Sequence, residues 1–231
     1  MSLKDGLTSN RIYVIIAFFI IIVIILTFLF SSSELTPAHI PYDILDEWYE
    51  DIAESDDGSS FFGLESWSSF TYRNYNDSYP SYITVTTFKK IFMMNEKELK
   101  EKTRETILKK ASEQNIEIDE KTEISGERAL KKDHRTMYVI YDGFYNTTDN
   151  YSEQVKFIGE TWNCDKSGTS IICIGFSQIT NNTFNNSEFN LNYWAKIIAD
   201  NQGTFMDEYV STDFHDLFLD TNGLIYNTKC H

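Results

Sequence analysis

Residues 153–180 read EQVKFIGETWNC, then DKSGT, then SIICIGFSQIT. Two runs rich in β-branched and aromatic residues flank a short polar connection with Gly168, which is the pattern of a β-hairpin. Upstream, KTEISGERAL (121–130) and HRTMYVIYDGFY (134–145) have the same character, and NTTDN (146–150) is another short polar connection. This turn spacing predicts an antiparallel meander. SYITVTTFKKIF (81–92) predicts a further strand ahead of it.

Between that strand and the meander, Asn95-Glu96-Lys97-Glu98 has the Asn-x-x-Glu spacing of a capping box. It opens a predicted helix to about Gln114. Leu99, Thr103, Ile107 and Ala111 fall four apart on its buried side, and Glu96/Lys100, Glu98/Lys102 and Glu105/Lys109 pair on its wet side. FNLNYWAKIIAD (189–200) predicts a second amphipathic helix that buries Leu191, Trp194 and Ile197 or Ile198 and stops near Gly203. The 28 residues after Gly203 predict a weaker helical or loop segment and a last short strand, GLIYNTKC. The expected fold class is α+β: an N-terminal transmembrane helix followed by an antiparallel sheet flanked by helices, in the order β-α-β-β-β-β-α.

The transmembrane expectation rests on Ile12 to Phe30, IYVIIAFFIIIVIILTFLF, nineteen residues without a charge. As a helix they would extend about 28 Å, close to the ~30 Å hydrocarbon thickness. An apolar core of this length exceeds the 7–15 residues usual for a signal peptide. Ser31-Ser32-Ser33 nevertheless supplies small residues where a peptidase could cut, so a cleaved leader is the alternative. The tail 1–11 carries Lys4 and Arg11 against Asp5, whereas residues 34–57 hold nine carboxylates and no Lys or Arg. The positive-inside rule then predicts a single-pass protein of the cell membrane, with a cytoplasmic tail (1–11) and everything after residue 30 outside. Residues 31–60 read as an acidic stalk with one short helix through Ile44, Leu45, Trp48 and Ile52, and with SDDGSS (55–60) as a flexible break. Residues 61–231 form the expected extracytoplasmic domain.

Composition narrows the function classes. The chain has 231 residues, with 14 Tyr, 17 Phe and 4 Trp, enough aromatic bulk for a packed core. Its 20 Lys/Arg against 35 Asp/Glu give a net charge of −15, which argues against a nucleic-acid partner. Basic residues concentrate only between 89 and 110, where acids are interleaved with them, the pattern of a solvated helix face.

A family resemblance enters through element order and a few residues: Ile124-Ser125-Gly126-Glu127-Arg128-Ala129-Leu130, His134-Arg135-Thr136-Met137-Tyr138-Val139-Ile140-Tyr141 and Trp194-Ala195-Lys196-Ile197-Ile198. Over about 80–203 the chain resembles the PsbP-like α/β/α domains and is similar to the lipoprotein-type exterior domains of that group. The resemblance implies an accessory, assembly or ligand-associated role and carries no shared catalytic motif. The hairpin cysteines and the tail after Gly203 depart from that pattern.

The three cysteines allow three pairings. A register centred on Lys166-Ser167-Gly168-Thr169 sets Cys164 opposite Cys173, so that disulfide is expected, two buried free thiols being the alternative. Cys230 is then left over, either buried or available to link two chains. A zinc site from Cys164, Cys173, Cys230 and His231 lacks any Cys-x2-Cys unit and is disfavoured. Five Asn-x-Ser/Thr sequons at Asn76, Asn146, Asn150, Asn181 and Asn185 are glycosylation candidates.

No H-E-x-x-H, C-x-x-C, G-x-S-x-G or Walker loop occurs. Asp220-Thr221-Asn222-Gly223 fails the calcium-loop register and reads as a turn. His134, beside Lys132, Asp133 and Arg135, and His215, between Asp213 and Asp216, have no partner marked by spacing. No cofactor or metal is expected. The sequence therefore predicts a binding or accessory domain that meets a lipid bilayer through 12–30 and a protein partner at the cell surface. An extracytoplasmic hydrolase using carboxylates or His, or a solute-binding module, is the alternative.

Overall fold

The hairpin at 153–180 lies in the middle of the molecule. The computed structural model describes residues 13–24, 35–60, 65–90, 92–130, 134–146, 152–181, 188–198 and 223–231. The helices are α1 (13–24), α2 (Tyr42–Leu45), α3 (Glu96–Glu113) and α4 (Asn192–Ile198). The strands are β1 (Trp48–Glu50), β2 (Asp56–Ser59), β3 (Glu65–Asn74), β4 (Ser81–Lys90), β5 (Ile116–Ala129), β6 (Arg135–Asn146), β7 (Ser152–Cys164), β8 (Thr169–Gln178), β9 (Thr180–Asn181) and β10 (Glu188–Phe189). One 8-stranded sheet runs β1-β3-β4-β8-β7-β6-β5, with β2 also paired to β3. Every pairing in it is antiparallel.

β8 is central and buried along its whole length, because both faces of the sheet are covered there. Ile171 and Cys173 point to one side, and Ile172, Ile174 and Phe176 to the other. The second side receives α3. Asn95 caps that helix by accepting from the Glu98 amide at 3.0 Å, and Leu99, Thr103, Ile107 and Ala111 form its buried edge. Gly159 on β7 lets the helix approach: a Cβ there would lie 2.2 Å from the Thr103 side chain and 2.9 Å from that of Ile107. The first side is covered by α4, by the 35–48 segment and by the C-terminal 223–231 segment, all packed around Trp162 and Ile158.

The expected fold class is corrected by this architecture. The described chain is mostly antiparallel sheet with a few helices. β1, β2 and β3 precede the element with which the expected order began, and β9 pairs with β10 apart from the main sheet. Among the described residues the expected transmembrane helix over 12–30 is not found: residues 13–24 form α1, and no described helix is long and apolar enough to cross a membrane. Residues 1–12 and 25–34 lie outside the described residues.

Residues 35–60 also do more than space the domain. Ala38, Ile40, Leu45 and Trp48 are buried in the core, and the 55–60 segment, expected to be a break, supplies β2. The Ala38 amide donates to Thr87 Oγ1 at 2.8 Å and the Ile40 amide to the Tyr72 hydroxyl at 3.1 Å. Burial pushes the Tyr72 phenol up to about 12. Acids hide this role: Asp43, Asp46, Glu47, Glu54, Asp56 and Asp57 occupy exposed positions among a few anchoring apolar residues.

The expected Cys164–Cys173 disulfide is replaced by Cys164–Cys230, and Cys173 is a buried free thiol. The reason is register. The hairpin closes more tightly than the expected centre, pairing Cys164 with Thr169 and Cys173 with Glu160. Cys164 and Cys173 therefore share a face but stand four residues apart along the ladder, about 13 Å at strand rise. The C-terminal segment instead lies back over β7, with Lys229 bridged to His39, and delivers Cys230 with a Cα–Cα distance of 6.4 Å from Cys164.

Candidate binding groove and thiol–imidazole cluster

α3 packs over β5 to β8 and leaves the β3–β4 part of the same sheet face uncovered. The gap is a half-open groove of about 340 Å³. Alternation along the two strands fixes its floor: Trp67, Ser69 and Thr71 from β3 face Phe88, Thr86 and Thr84 from β4, as directly opposed pairs. The hydroxyls pair across the strands, Ser69 with Thr86 at 3.0 Å and Thr71 with Thr84 at 3.1 Å. Glu54 and Asp56 stand on one wall, and Thr106 and Lys110 of α3 on the other.

Aromatic residues close both ends. At one end the Trp67 indole lies across β2, where only a glycine fits: a Cβ on Gly58 would sit 2.3 Å from the ring. Lys102 Nζ lies 3.8 Å from the Phe88 ring centroid there. Burial, and then neighbouring Lys90, lower the Lys102 pKa. At the other end Tyr82 stacks on Phe176 at 5.0 Å, with the Arg73 guanidinium 5.6 Å from its centroid. Burial raises the Tyr82 phenol, opposed by the hydrogen bond from Gln114 Nε2 at 3.0 Å. The floor thus combines hydroxyls that donate or accept, aromatic faces, and charges of both signs. These are the means to hold a ligand.

The opposite sheet face carries a different polar arrangement. Arg128 and Glu160 have fully buried side chains. Nε donates to Oε1 at 2.8 Å and Nη2 to Oε2 at 2.5 Å, a bidentate pair. Nη1 donates to the Ile198 carbonyl at the end of α4, and Thr136 donates its hydroxyl to Glu160. Cys173 lies opposite Glu160. Burial raises its thiol well above the ordinary value, Glu160 adds to that, and the Thr228 hydroxyl partly opposes it. A thiol so held is neutral and poorly nucleophilic.

At the edge of that face, next to the disulfide, two imidazoles converge. His231 Nδ1 is 3.4 Å from Cys164 Sγ and 3.3 Å from Cys230 Sγ, and His134 Nε2 is 3.4 Å from Cys230 Sγ. All four potential ligand atoms lie within 4.8 Å of one another.

No family model matches the chain, and neither a curated protein nor a solved structure matches it. Its own residues therefore carry the functional reading.

Of the sequence-predicted site residues, Cys164 and Cys173 are not brought together, and Cys230 is bonded within the chain rather than left for a second one. Asn76 lies in the β3–β4 connection, accepting from the Ser78 amide at 2.9 Å. Asn181 in β9 donates Nδ2, the atom a glycan would take, to the Ser78 carbonyl at 2.8 Å. Asn146 ends β6, whereas Asn150, Asn185 and His215 lie outside the described residues. Sequence reading missed both the groove and the place of His134. The groove's signal was the run Thr84, Thr86 and Phe88, one face of a strand already recognised.

Proposed function

We propose that this chain is an extracytoplasmic binding domain whose groove takes an extended, basic segment of a partner protein. One observation carries the reading: paired hydroxyls line the floor between aromatic ends, beneath Glu54 and Asp56. An open trough of this kind suits a chain segment better than an enclosed small molecule. The net charge of −15 would steer a basic partner toward it. The Cys164–Cys230 disulfide supports a compartment outside the reducing cytosol. In the same reading the domain sits at the outer surface of the cell, and the resemblance to PsbP-like domains fits a binding role.

The test is a photo-reactive side chain at Thr86 of the full chain displayed on intact cells, with a second at exposed Lys121 as the control. The expected result is one discrete adduct from the Thr86 position, absent from the control and lost with Glu54→Lys/Asp56→Lys. No adduct at Thr86, or the same adducts from both positions, would overturn the groove as the site. Protease added to the same cells should digest the domain, and its complete protection would overturn the location.

A further inference from the structure

We propose that the reduced chain binds one zinc-class divalent cation through Cys164, Cys230, His134 and His231. The donor set is two sulfurs and two imidazole nitrogens, the composition of structural zinc sites. Tetrahedral coordination with Zn–S near 2.3 Å and Zn–N near 2.05 Å requires S···N edges of about 3.5 Å. Three such edges, at 3.3, 3.4 and 3.4 Å, are already present. The His134 and His231 rings meet nearly at right angles, 80° apart with centroids 5.7 Å from each other, so their nitrogens converge without stacking.

The four ligands come from three separate parts of the chain: His134 just before β6, Cys164 at the end of β7, and Cys230 with His231 from the C-terminal segment. Both cysteines are buried, His134 is half-buried and His231 exposed. The site is thus closed on the protein side and reachable from solvent.

The disulfide and the cation exclude each other. A dithiol or phosphine reductant supplies two electrons, two protons enter, and two thiols form. On binding, the thiols release those protons to solvent, and two thiolates balance the charge of the cation. His231 must then carry its proton on Nε2, which now sits 3.2 Å from Lys166 Nζ. Lys166 is exposed and has to turn away, so its ammonium opposes the metal-bound state.

The experiment uses the full chain in detergent, reduced by a phosphine without oxygen and titrated with Co²⁺ as an optical probe, then with Zn²⁺. The expected result is one Co²⁺ per chain with a thiolate charge-transfer band and tetrahedral visible bands, all removed by Zn²⁺. His134→Ala and His231→Ala should each weaken binding by about tenfold or more, whereas Cys173→Ser leaves it unchanged. Lys166→Ala should leave it unchanged or tighten it. Absence of the charge-transfer band in the reduced chain, or affinity unchanged from the parent in both His variants, would overturn the proposal. Should His134→Ala fail to fold, His231→Ala at the exposed C-terminal residue decides alone. The outcome is independent of what the groove binds.

Discussion

The two faces of the sheet are closed by different means. On the α4 face, the described residues of α4, the 35–48 segment and the 223–231 segment cover the strands, with a buried ion pair and a disulfide fixing their positions. On the α3 face, one 18-residue helix packs on four strands through apolar contacts and leaves β3 and β4 partly open. Short pieces cannot cover a sheet by regular ridge packing, so polar links with defined partners hold them in place. A long amphipathic helix needs few such links and can stop where its buried edge stops. The open ground beside it is where a ligand site can form.

The largest effect should come from breaking the α4 face at its ion pair. Glu160→Ala leaves Arg128 buried without its carboxylate, a loss of about 3–5 kcal/mol. Chemical denaturation checks it, and a loss below 1 kcal/mol would mean that water reaches the guanidinium. Releasing the C-terminal segment ranks next. Cys230→Ser opens a loop of 66 residues, for which chain entropy gives about 4 kcal/mol at most, and strain and residual structure lower this to about 2–4 kcal/mol. The oxidised chain should show that loss in thermal melting, and it should disappear when both proteins are melted reduced and metal-free.

The α3 face is sharpened by crowding rather than deletion. Gly159→Ala places a methyl group against Thr103 and Ile107, forcing the helix outward at a cost of about 1–3 kcal/mol. Lys121→Ala, at an exposed position on β5 away from α3, serves as the mild reference. If Gly159→Ala costs no more than this reference, the helix floats on the sheet and the groove has no fixed wall.

How much of this was legible follows from where each residue's constraint originates. α3 could be read because its cap and its four-apart edge are local, and β4, β7 and β8 because their composition is set by burial on the sheet. The 35–48 segment was legible only in part: a helix does pass through Ile44 and Leu45, but it ends there, Trp48 lies in β1 and Ile52 is exposed, while Ala38 and Ile40 are anchored by partners far along the chain. The disulfide failed on a hairpin register too small to see in composition. Cys230 and His134 meet only because the C-terminal segment folds back over β7, a tertiary event without a sequence period. The groove was half visible: the hydroxyl and aromatic face of β4 was in view, but not that α3 stops short of it.

The smallest expected effect tests the far edge of the α3 face, at Glu123 on β5. Desolvation raises the Glu123 pKa, but the Tyr141 hydroxyl, donating at 2.6 Å, and the Arg104 guanidinium outweigh it, and the net shift is downward. A carboxylate with a depressed folded pKa contributes stability above its unfolded value, near 4.3, and loses it as pH falls through the folded value. Glu123→Gln should therefore cost up to about 1 kcal/mol at neutral pH, since Arg104 and Glu123 are partly solvated. The gap to the parent should narrow as the pH falls below about 4.3. Urea unfolding at a series of pH values reads both curves. A gap that stays constant with pH would assign the contact to packing, and a gap that widens toward acid would reverse the sign. Either result would take the Arg104–Glu123 ion pair out of what holds α3 on that edge, making the contrast between the two faces sharper still.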